Sequence, residues 1–403
     1  MSEFGRRFIA FISRHDEATA YRTQWPAHDF QFASFTSGIP DTVAINAHRP
    51  DHMVQTFLEL HAARPFCGVL NRKEKCVIPA ALLASALKLP ELIRDPQLAR
   101  DKYRMRLAMN TATDGPRCLL LQTRLDAESV PHNFFPAVLK PRFGFNSRGV
   151  CLVNNQAELL THYDSQHPTY AALQRQDGTC ADFVVEELIL GSEHTIDSFV
   201  ADGVPVLHLL SDKRPMQGPW FVETGDNIPS SLNADMQERL CDCSARTIRS
   251  LEIRNGWTHT EVRVSDRGAV PIECAARMGG GYFENLIRAA WNIDRMDWLI
   301  RLFSKTALPT FTQPPRPVCG RRFVVYGPPR SRNLKNAQQL FSSPNIQLIW
   351  PAETCHINRV LSGPPAEFSN TLFEFMAVGS DPASVMSLAE QTLESAVVSE
   401  EPA

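Results

Sequence analysis

Over the first hundred residues, short apolar runs alternate with patterns of helical spacing. Arg7–Ile12, Phe30–Phe35, Val43–Ile45 and Phe66–Leu70 are brief, β-branched and aromatic runs, whereas Met53–Ala63 and Ile78–Leu89 repeat apolar positions every three to four residues. Strand and helix taken in turn predict a small open α/β layer with a parallel sheet over residues 1–98. Such sheets bind ligands beyond the carboxyl ends of their strands. Glu74, just past the Phe66–Leu70 run, is therefore either a substrate contact or a solvated acid.

Further along, Leu98–Met109 has helical spacing and many basic residues, which reads as a solvated face, and Cys118–Leu121 reads as a short buried strand. Phe135–Lys140 is an apolar run ending in lysine. A polar loop with Gly144, Ser147, Arg148 and Gly149 follows, and a second apolar run starts at Val150. Strand, flexible loop and strand make either a basic surface hairpin or a grip for phosphate, in which Lys140 supplies charge and the glycines let backbone amides approach. Asn155–Tyr163 reads as a helix crossing back. The run Phe183–Val200 carries Glu186, Glu187 and Glu193 after a buried strand, where acids need a partner or solvent. Val204–Leu210 is the next strand. Ser211 to Ser231 reads as a long polar loop holding Lys213, Arg214 and Glu223, of the length used for lids and binding loops.

Trp257–Val264 and Ala269–Arg277 both alternate, with Ser265-Asp266-Arg267-Gly268 between them. The pattern predicts an antiparallel hairpin with the three-residue loop Asp266-Arg267-Gly268, Gly268 supplying positive φ. Ser265 then pairs with Ala269, and Glu261 with Glu273. Opposed carboxylates on one face repel, so the pair is either splayed in solvent or bridged by a cation, and a hard divalent ion is the natural one. Arg277 lies close enough to serve the same pocket. Tyr282–Ala290 and Met296–Phe303 read as helices, and Pro309 to Pro317 as a boundary. Beyond it, Arg322–Tyr326, Gln347–Trp350 and Leu372–Ala377 as strands and Ala383–Ala396 as a helix form a small α+β appendage with no readable motif.

Composition narrows the classes. A 403-residue chain that is 43% hydrophobic and 21% charged, with a formal net charge of -3, is globular and offers no basic surface for nucleic acid. The apolar start Phe8–Ile12 is cut by Arg14, His15 and Asp16 before it reaches a signal-peptide core, and no later run approaches the roughly 20 residues that span a bilayer. The expectation is a cytoplasmic protein, with no membrane partner. Ten scattered cysteines without a CxxC pair read as reduced, buried thiols.

Taken in order and spacing, Arg64 to Phe303 resembles the ATP-grasp superfamily, and within it the bacterial amino-acid ligases that make dipeptides. The resemblance implies an N-terminal pre-ATP-grasp α/β domain over residues 1–98, a nucleotide-binding and catalytic domain over 99–303 with a lid over about 118–182, and a C-terminal α+β domain over 304–403. Lys102 and Lys140 look like the two nucleotide lysines, and Gly144–Gly149 like the lid loop. Val185-Glu186-Glu187-Leu188-Ile189 resembles the adenine hinge, where backbone groups at Glu186 and Leu188 read the base, and Glu193 the ribose ligand. Glu261 and Glu273 match the paired metal carboxylates, which implies magnesium or manganese with ATP, and Arg277 the arginine that grips the reacting carboxylate. Relatives often carry asparagine where this chain has Ala275, while Glu-x-Ala-Ala-Arg before a glycine turn is similar to the dipeptide-forming ligases. Glu74, Lys213, Glu223, Gly280 and Gly281 would complete the substrate pocket.

The implied activity is ATP-dependent joining of an amino acid, or a related carboxylic acid, to the amine of another through an acyl phosphate. The partners would be small molecules, with a homodimer as the permitted assembly. Glu74, Glu223 and His259 stay open as the base. Two alternatives stay open as well: an ATP-grasp ligase of purine-pathway or carboxylating type, and a nucleotide-binding module without catalysis.

Overall fold

The computed structural model describes residues 5–46, 50–177, 180–216, 218–310, 314–324, 330–350, 358–361 and 371–401. Its first unit contains β1 (Arg7–Phe11), α1 (His15–Gln24), β2 (Asp29–Ser34), β3 (Thr42–Ala44), α2 (Pro50–Ala63), β4 (Gly68–Leu70) and α3 (Val77–Ala86). The strands lie in the order β3-β2-β1-β4, all parallel. Strand β1 is apolar throughout because both of its faces are covered: Phe8 and Ala10 enter one core, Ile9 and Phe11 another. Helix α1 lies in a stretch too polar to show a helical period.

Helix α4 (Lys102–Met109) leads into a four-stranded antiparallel sheet that occupies the residues expected for the lid. This expected lid comprises β5 (Cys118–Leu121), α5 (Arg124–Glu128), β6 (Ala137–Pro141), β7 (Cys151–Val153), α6 (Gln156–Asp177) and β8 (Phe183–Glu187), with strand order β5-β8-β6-β7. The helix expected over Asn155–Tyr163 runs on to Asp177 through Pro168.

The central layer is an eight-stranded antiparallel sheet, ordered β13-β12-β9-β10-β11-β14-β18-β16. In chain order it is built from β9 (Ser192–Ala201), β10 (Val204–Lys213), β11 (Gly225–Ile228), α7 (Ala234–Ser250), β12 (Gly256–Ser265), β13 (Gly268–Ala275), α8 (Phe283–Trp291), α9 (Arg295–Ser304) and β14 (Val318–Val324). The remainder is β15 (Arg330–Leu334), α10 (Ala337–Leu340), β16 (Ile346–Trp350), β17 (Asn358–Leu361), β18 (Thr371–Val378), α11 (Pro382–Glu394) and β19 (Val398–Glu401). Residues 325 and 326 of the expected strand Arg322–Tyr326 lie outside the described residues.

Two sequence expectations change here. The polar stretch from Ser211 to Ser231 is no single loop: β10 runs on to Lys213, and β11 occupies Gly225–Ile228. Helix α7 was not anticipated, although Leu240, Cys243, Thr247 and Ile248 form its buried stripe.

Helix α9 locks the first unit to the central one. A Cβ on Gly68 of β4 would stand 2.5 Å from the Phe303 ring, so the close approach requires glycine. Beside it, Phe199, Trp257 and Trp298 pack with ring centroids 5.0, 5.1 and 5.8 Å apart. Among the described residues no helix is long and apolar enough to cross a membrane, and nine cysteines are free thiols.

Candidate active site

The lid sheet, α4, the β12–β13 hairpin and the start of the C-terminal unit line one open cleft. Strand β6 delivers Lys140 to it. The Lys140 ammonium donates to Glu186 Oε2 at 2.6 Å, while Arg106 Nε donates to Glu186 Oε1 at 2.8 Å. Burial by itself would raise the Glu186 carboxyl, but the two cations overcome it and hold the group down to about 2. Helix α4 is therefore not a solvated basic face: Arg106 is 2% exposed, and its other nitrogens donate to the carbonyls of Pro271, at 2.8 Å, and Ile272.

Lys102, the first residue of α4, donates to Glu273 Oε1 at 2.8 Å and to the Gly144 carbonyl at 3.4 Å. Asp101 caps that helix, accepting from Tyr103 N and Arg104 N at 3.0 and 3.2 Å, and it pairs with Arg142 of the lid at 2.6 Å. Gly144, Ser147 and Arg148 of the loop line the cleft. Gly149 does not. At φ 74° it is pressed against α6, where a Cβ would meet Gln166 at 2.5 Å and Tyr170 at 2.6 Å.

The facing wall is the β12–β13 hairpin. Its turn holds two residues, Asp266 and Arg267, so Ser265 pairs with Gly268 and not with Ala269. A bulge after Val262↔Pro271 shifts the register by one and restores Glu261↔Glu273. The carbonyls that Arg106 takes are those of Pro271 and Ile272, at the bulge itself. Lys213 donates to Glu261 at 2.8 Å, to Glu193 at 2.8 Å and to Glu223 at 2.5 Å.

The two opposed carboxyls are shifted in opposite directions. Burial first, and then crowding by Glu193, Glu223 and Glu273 against the pull of Lys213, raises the Glu261 carboxyl. Glu273 suffers the same burial, yet Lys102 carries it below its usual value. Each engages its lysine through Oε1. Among the described residues no three His, Cys, Asp or Glu side chains gather as a metal cage. A pair of hard carboxylates, one of them destabilised as an anion, fits magnesium or manganese, which take their other ligands from phosphate and water. Ala275 lines the cleft opposite His259 in the ladder and brings no ligand.

Beyond the hairpin, Arg277 lines the cleft and donates to Glu74 and to the Met278 carbonyl, at 2.7 Å for the latter. Glu74 is not on the cleft wall. It is clasped between Arg277 and Arg100, and its carboxyl, raised by burial but lowered more by the two guanidiniums, lies at about 2. Gly280 lines the cleft with open space where a Cβ would stand, whereas Gly281 lies off the wall. His259 also faces the cleft. Its Nδ1 is 3.0 Å from Asp197, which Arg295 holds at 2.9 Å, and its Nε2 is 4.0 Å from Glu261.

The remaining wall is an apolar slot of Val138, Val150, Leu188, Ile189, Met216, Phe221 and Ile272. Glu186 sits within β8, laddered to Cys118 and Val138, and Leu188 follows the end of that strand. Glu187 lies on the rim, tied to Arg267 at 3.3 Å. Glu193 reaches the cleft with one oxygen on Lys213 and the other on Arg263, at 2.9 Å.

Arg106, Arg263, Asp197, Arg295 and Arg322 are the site and supporting residues the sequence did not yield. Arg263 was within reach, because strand alternation puts it on the face of Glu261. Arg322 comes from β14, in the appendage without a motif. It lines the cleft, donating to Glu374 at 2.8 Å and to Glu223 at 3.3 Å.

Both Glu74 and Glu186 titrate near 2 in the folded chain against an ordinary value near 4.5. The folded state therefore binds fewer protons than the unfolded one between those values, so its stability is fully present above about pH 4.5 and drains away as pH falls toward 2. Melting temperature measured against pH should drop as pH falls below about 4.5; a curve flat from there down to about pH 3 would contradict the clasped carboxylates.

Residues 133–285 match the ATP-grasp domain family. The chain is 31% identical over 169 residues to carnosine synthase 1 of Gallus gallus, covering 40% of this chain and 18% of that protein. It is 26% identical over 251 residues to the alanine–anticapsin ligase of Bacillus subtilis, covering 58% and 53%. The chain thus spans about half or less of the length of these relatives. In structure it superposes on the L-amino acid ligase of Bacillus licheniformis with a TM-score of 0.78 at 17% identity, over 99% of this chain and 100% of the other, which identifies the fold.

Proposed function

We propose that this chain, which carries an ATP-grasp domain in an ATP-grasp fold, is an ATP-dependent ligase that joins the carboxylate of one amino acid, or a related acid, to the amine of another. The observation that supports this best is the convergence on one cleft of Lys140 and its glycine loop, the opposed Glu261 and Glu273, and Arg277.

Adenine would occupy the apolar slot, with backbone groups around Glu186 and Leu188 reading its edge. Glu193 would take the ribose hydroxyls on its remaining lone pairs. Lys102 and Lys140 would sit against the phosphates, with the loop amides between Gly144 and Gly149 around them. Magnesium or manganese held by Glu261 and Glu273 would supply neutralising charge at the transferring phosphoryl group.

A carboxylate oxygen attacks the γ-phosphorus and ADP leaves; an amine then attacks the acyl carbon, phosphate leaves, and the amine proton passes to a base. Arg277 steadies the carboxylate and, later, the oxyanion, because its guanidinium is aimed by the Glu74 clasp. Closure of the lid loop keeps water from the acyl phosphate. Of the three candidate bases, Glu74 and Glu223 are engaged by two cations each, whereas His259 presents Nε2 to the cleft with Nδ1 oriented by Asp197. His259 is the base in this reading.

A phosphate-release screen over pairs of amino acids with ATP and magnesium, with products identified by mass, tests the proposal. Turnover with at least one pair, accompanied by a product equal to the two acids less one water, is expected. In Lys140→Ala, ATP affinity should fall about tenfold or more and turnover should cease, since a charge-assisted contact to phosphate is lost. ATP binding with silence across all pairs would move the assignment to another acid or to a module without catalysis. Unchanged ATP affinity in Lys140→Ala would remove the lysine hairpin from the site.

A further inference from the structure

Residues 219–223 connect two parts of the site that the fold otherwise holds apart. The Pro219 carbonyl accepts from Leu152 N at 2.7 Å, which continues the lid sheet past its edge strand β7. Trp220 lies against the lid core and meets His162 of α6 edge-on, with ring centroids 5.4 Å apart at 88°. Phe221 follows with φ 50°, a costly conformation for an aromatic residue, and the Arg263 guanidinium lies 5.7 Å from its ring. Val222 is buried, and Glu223 then reaches Lys213 and Arg322. Lys213 in turn holds Glu261.

An unbroken line of contacts therefore runs from the sheet that carries Lys140, through Trp220, to the ion cluster beside the opposed glutamates. Trp220 does not line the cleft, whereas Met216, Phe221 and Glu223 around it do. Its indole packs half-buried against the lid, while its chain neighbours serve the other half of the site. If the lid swings, the Pro219 and Trp220 contacts must either break or carry Phe221 and Glu223 along. Phe221 takes its positive φ between these two anchor points, the Pro219 carbonyl and the Glu223 carboxylate.

We propose that Trp220 is a positioning residue that couples closure of the lid on nucleotide to the placement of Glu223 and Lys213. Resting on the ligase reading above, this makes binding of nucleotide and of the amino-acid substrates synergistic. Trp220 lies off the cleft wall, so the coupling would pass through residues 219–223.

The test compares wild type, Trp220→Ala and Trp220→Phe in the full chain, with a non-hydrolysable ATP analogue and magnesium. Hydrogen exchange should show the amides of 220–223 becoming protected in wild type when the analogue binds, with Trp220→Ala losing that protection and Trp220→Phe keeping it. This arm needs no amino acid, so it stands even where the ligase screen is silent. With an active amino-acid pair, wild type should bind the analogue about tenfold more tightly when the acids are present, and Trp220→Ala less than twofold, with its analogue affinity in their absence unchanged within twofold. KM for the acids should rise more than kcat falls. Retained coupling in Trp220→Ala overturns the proposal. So does a loss of analogue affinity in the absence of the acids together with a lower melting temperature, which would mark Trp220 as merely structural. Wild type that binds the analogue without protecting the amides of 220–223 overturns it as well.

Discussion

Glu273→Gln should lower ADP release by about 10³-fold or more while leaving the melting temperature within about 3 °C of wild type. The size of the loss follows from what Glu273 does in the proposed reaction. It is the member of the pair that Lys102 holds below its ordinary value against burial, whereas burial and acidic neighbours raise Glu261. Removing it leaves the cation site with the carboxyl whose anionic form burial and its acidic neighbours disfavour, so affinity for magnesium falls as well as the electrostatic support of phosphoryl transfer. The fold should tolerate the change. Glutamine keeps the shape, the Glu273 side chain is 30% exposed, and Lys102 retains the Gly144 carbonyl and access to the cleft. ADP release measured against magnesium concentration is the check: turnover within tenfold of wild type at saturating magnesium would remove Glu273 from the metal pair.

How that pair could be read from sequence shows what a sequence carries. Alternation on both sides of a glycine turn is enough to oppose Glu261 and Glu273, because side-chain period two leaves few registers open. The register expected at the turn was one residue out, and the bulge at Pro271 and Ile272 cancelled the error. No local propensity announces such a bulge. It is held by Arg106, 165 positions earlier in the chain. The same limit hid Arg106 itself: helical spacing tells which positions share a face, and a basic residue on a polar face looks alike in solvent or in a buried triad. Helix α7 is a different case. Its Leu240–Cys243–Thr247–Ile248 stripe was present in the sequence, and only its cysteine and threonine members blur the hydrophobic period. The appendage yielded no motif because Arg322 works alone, with the rest of the cleft supplied by other units.

Arg106→Met should cost about 3–5 kcal/mol of stability, the range for breaking a buried ion pair from one side. Arg106 is 2% exposed and Glu186 3%, so the charge left behind stays out of water. Two losses contribute. Glu186 keeps only Lys140, and the carbonyls of Pro271 and Ile272 lose their donor, each unsatisfied carbonyl being worth about 1–3 kcal/mol. A second substitution separates the two. In Arg106→Met combined with Glu186→Met the stranded charge is gone and Lys140 can turn to the cleft, so much of the loss should return if charge dominates. If the bulge carbonyls dominate, the double variant stays as unstable as the single one. Charge should win, because Lys140 lies on the cleft and shields Glu186 from one side only, while a carbonyl at a bulge can be reached by water once the guanidinium leaves. The single variant should also bind magnesium more weakly than its folded fraction explains, since the bulge that sets Glu261 opposite Glu273 has lost its clamp. Thermal melts of the three chains, with magnesium titrated into the folded protein, decide the matter: an Arg106→Met melting temperature within about 2 °C of wild type would show that the buried triad does not hold the hairpin in place.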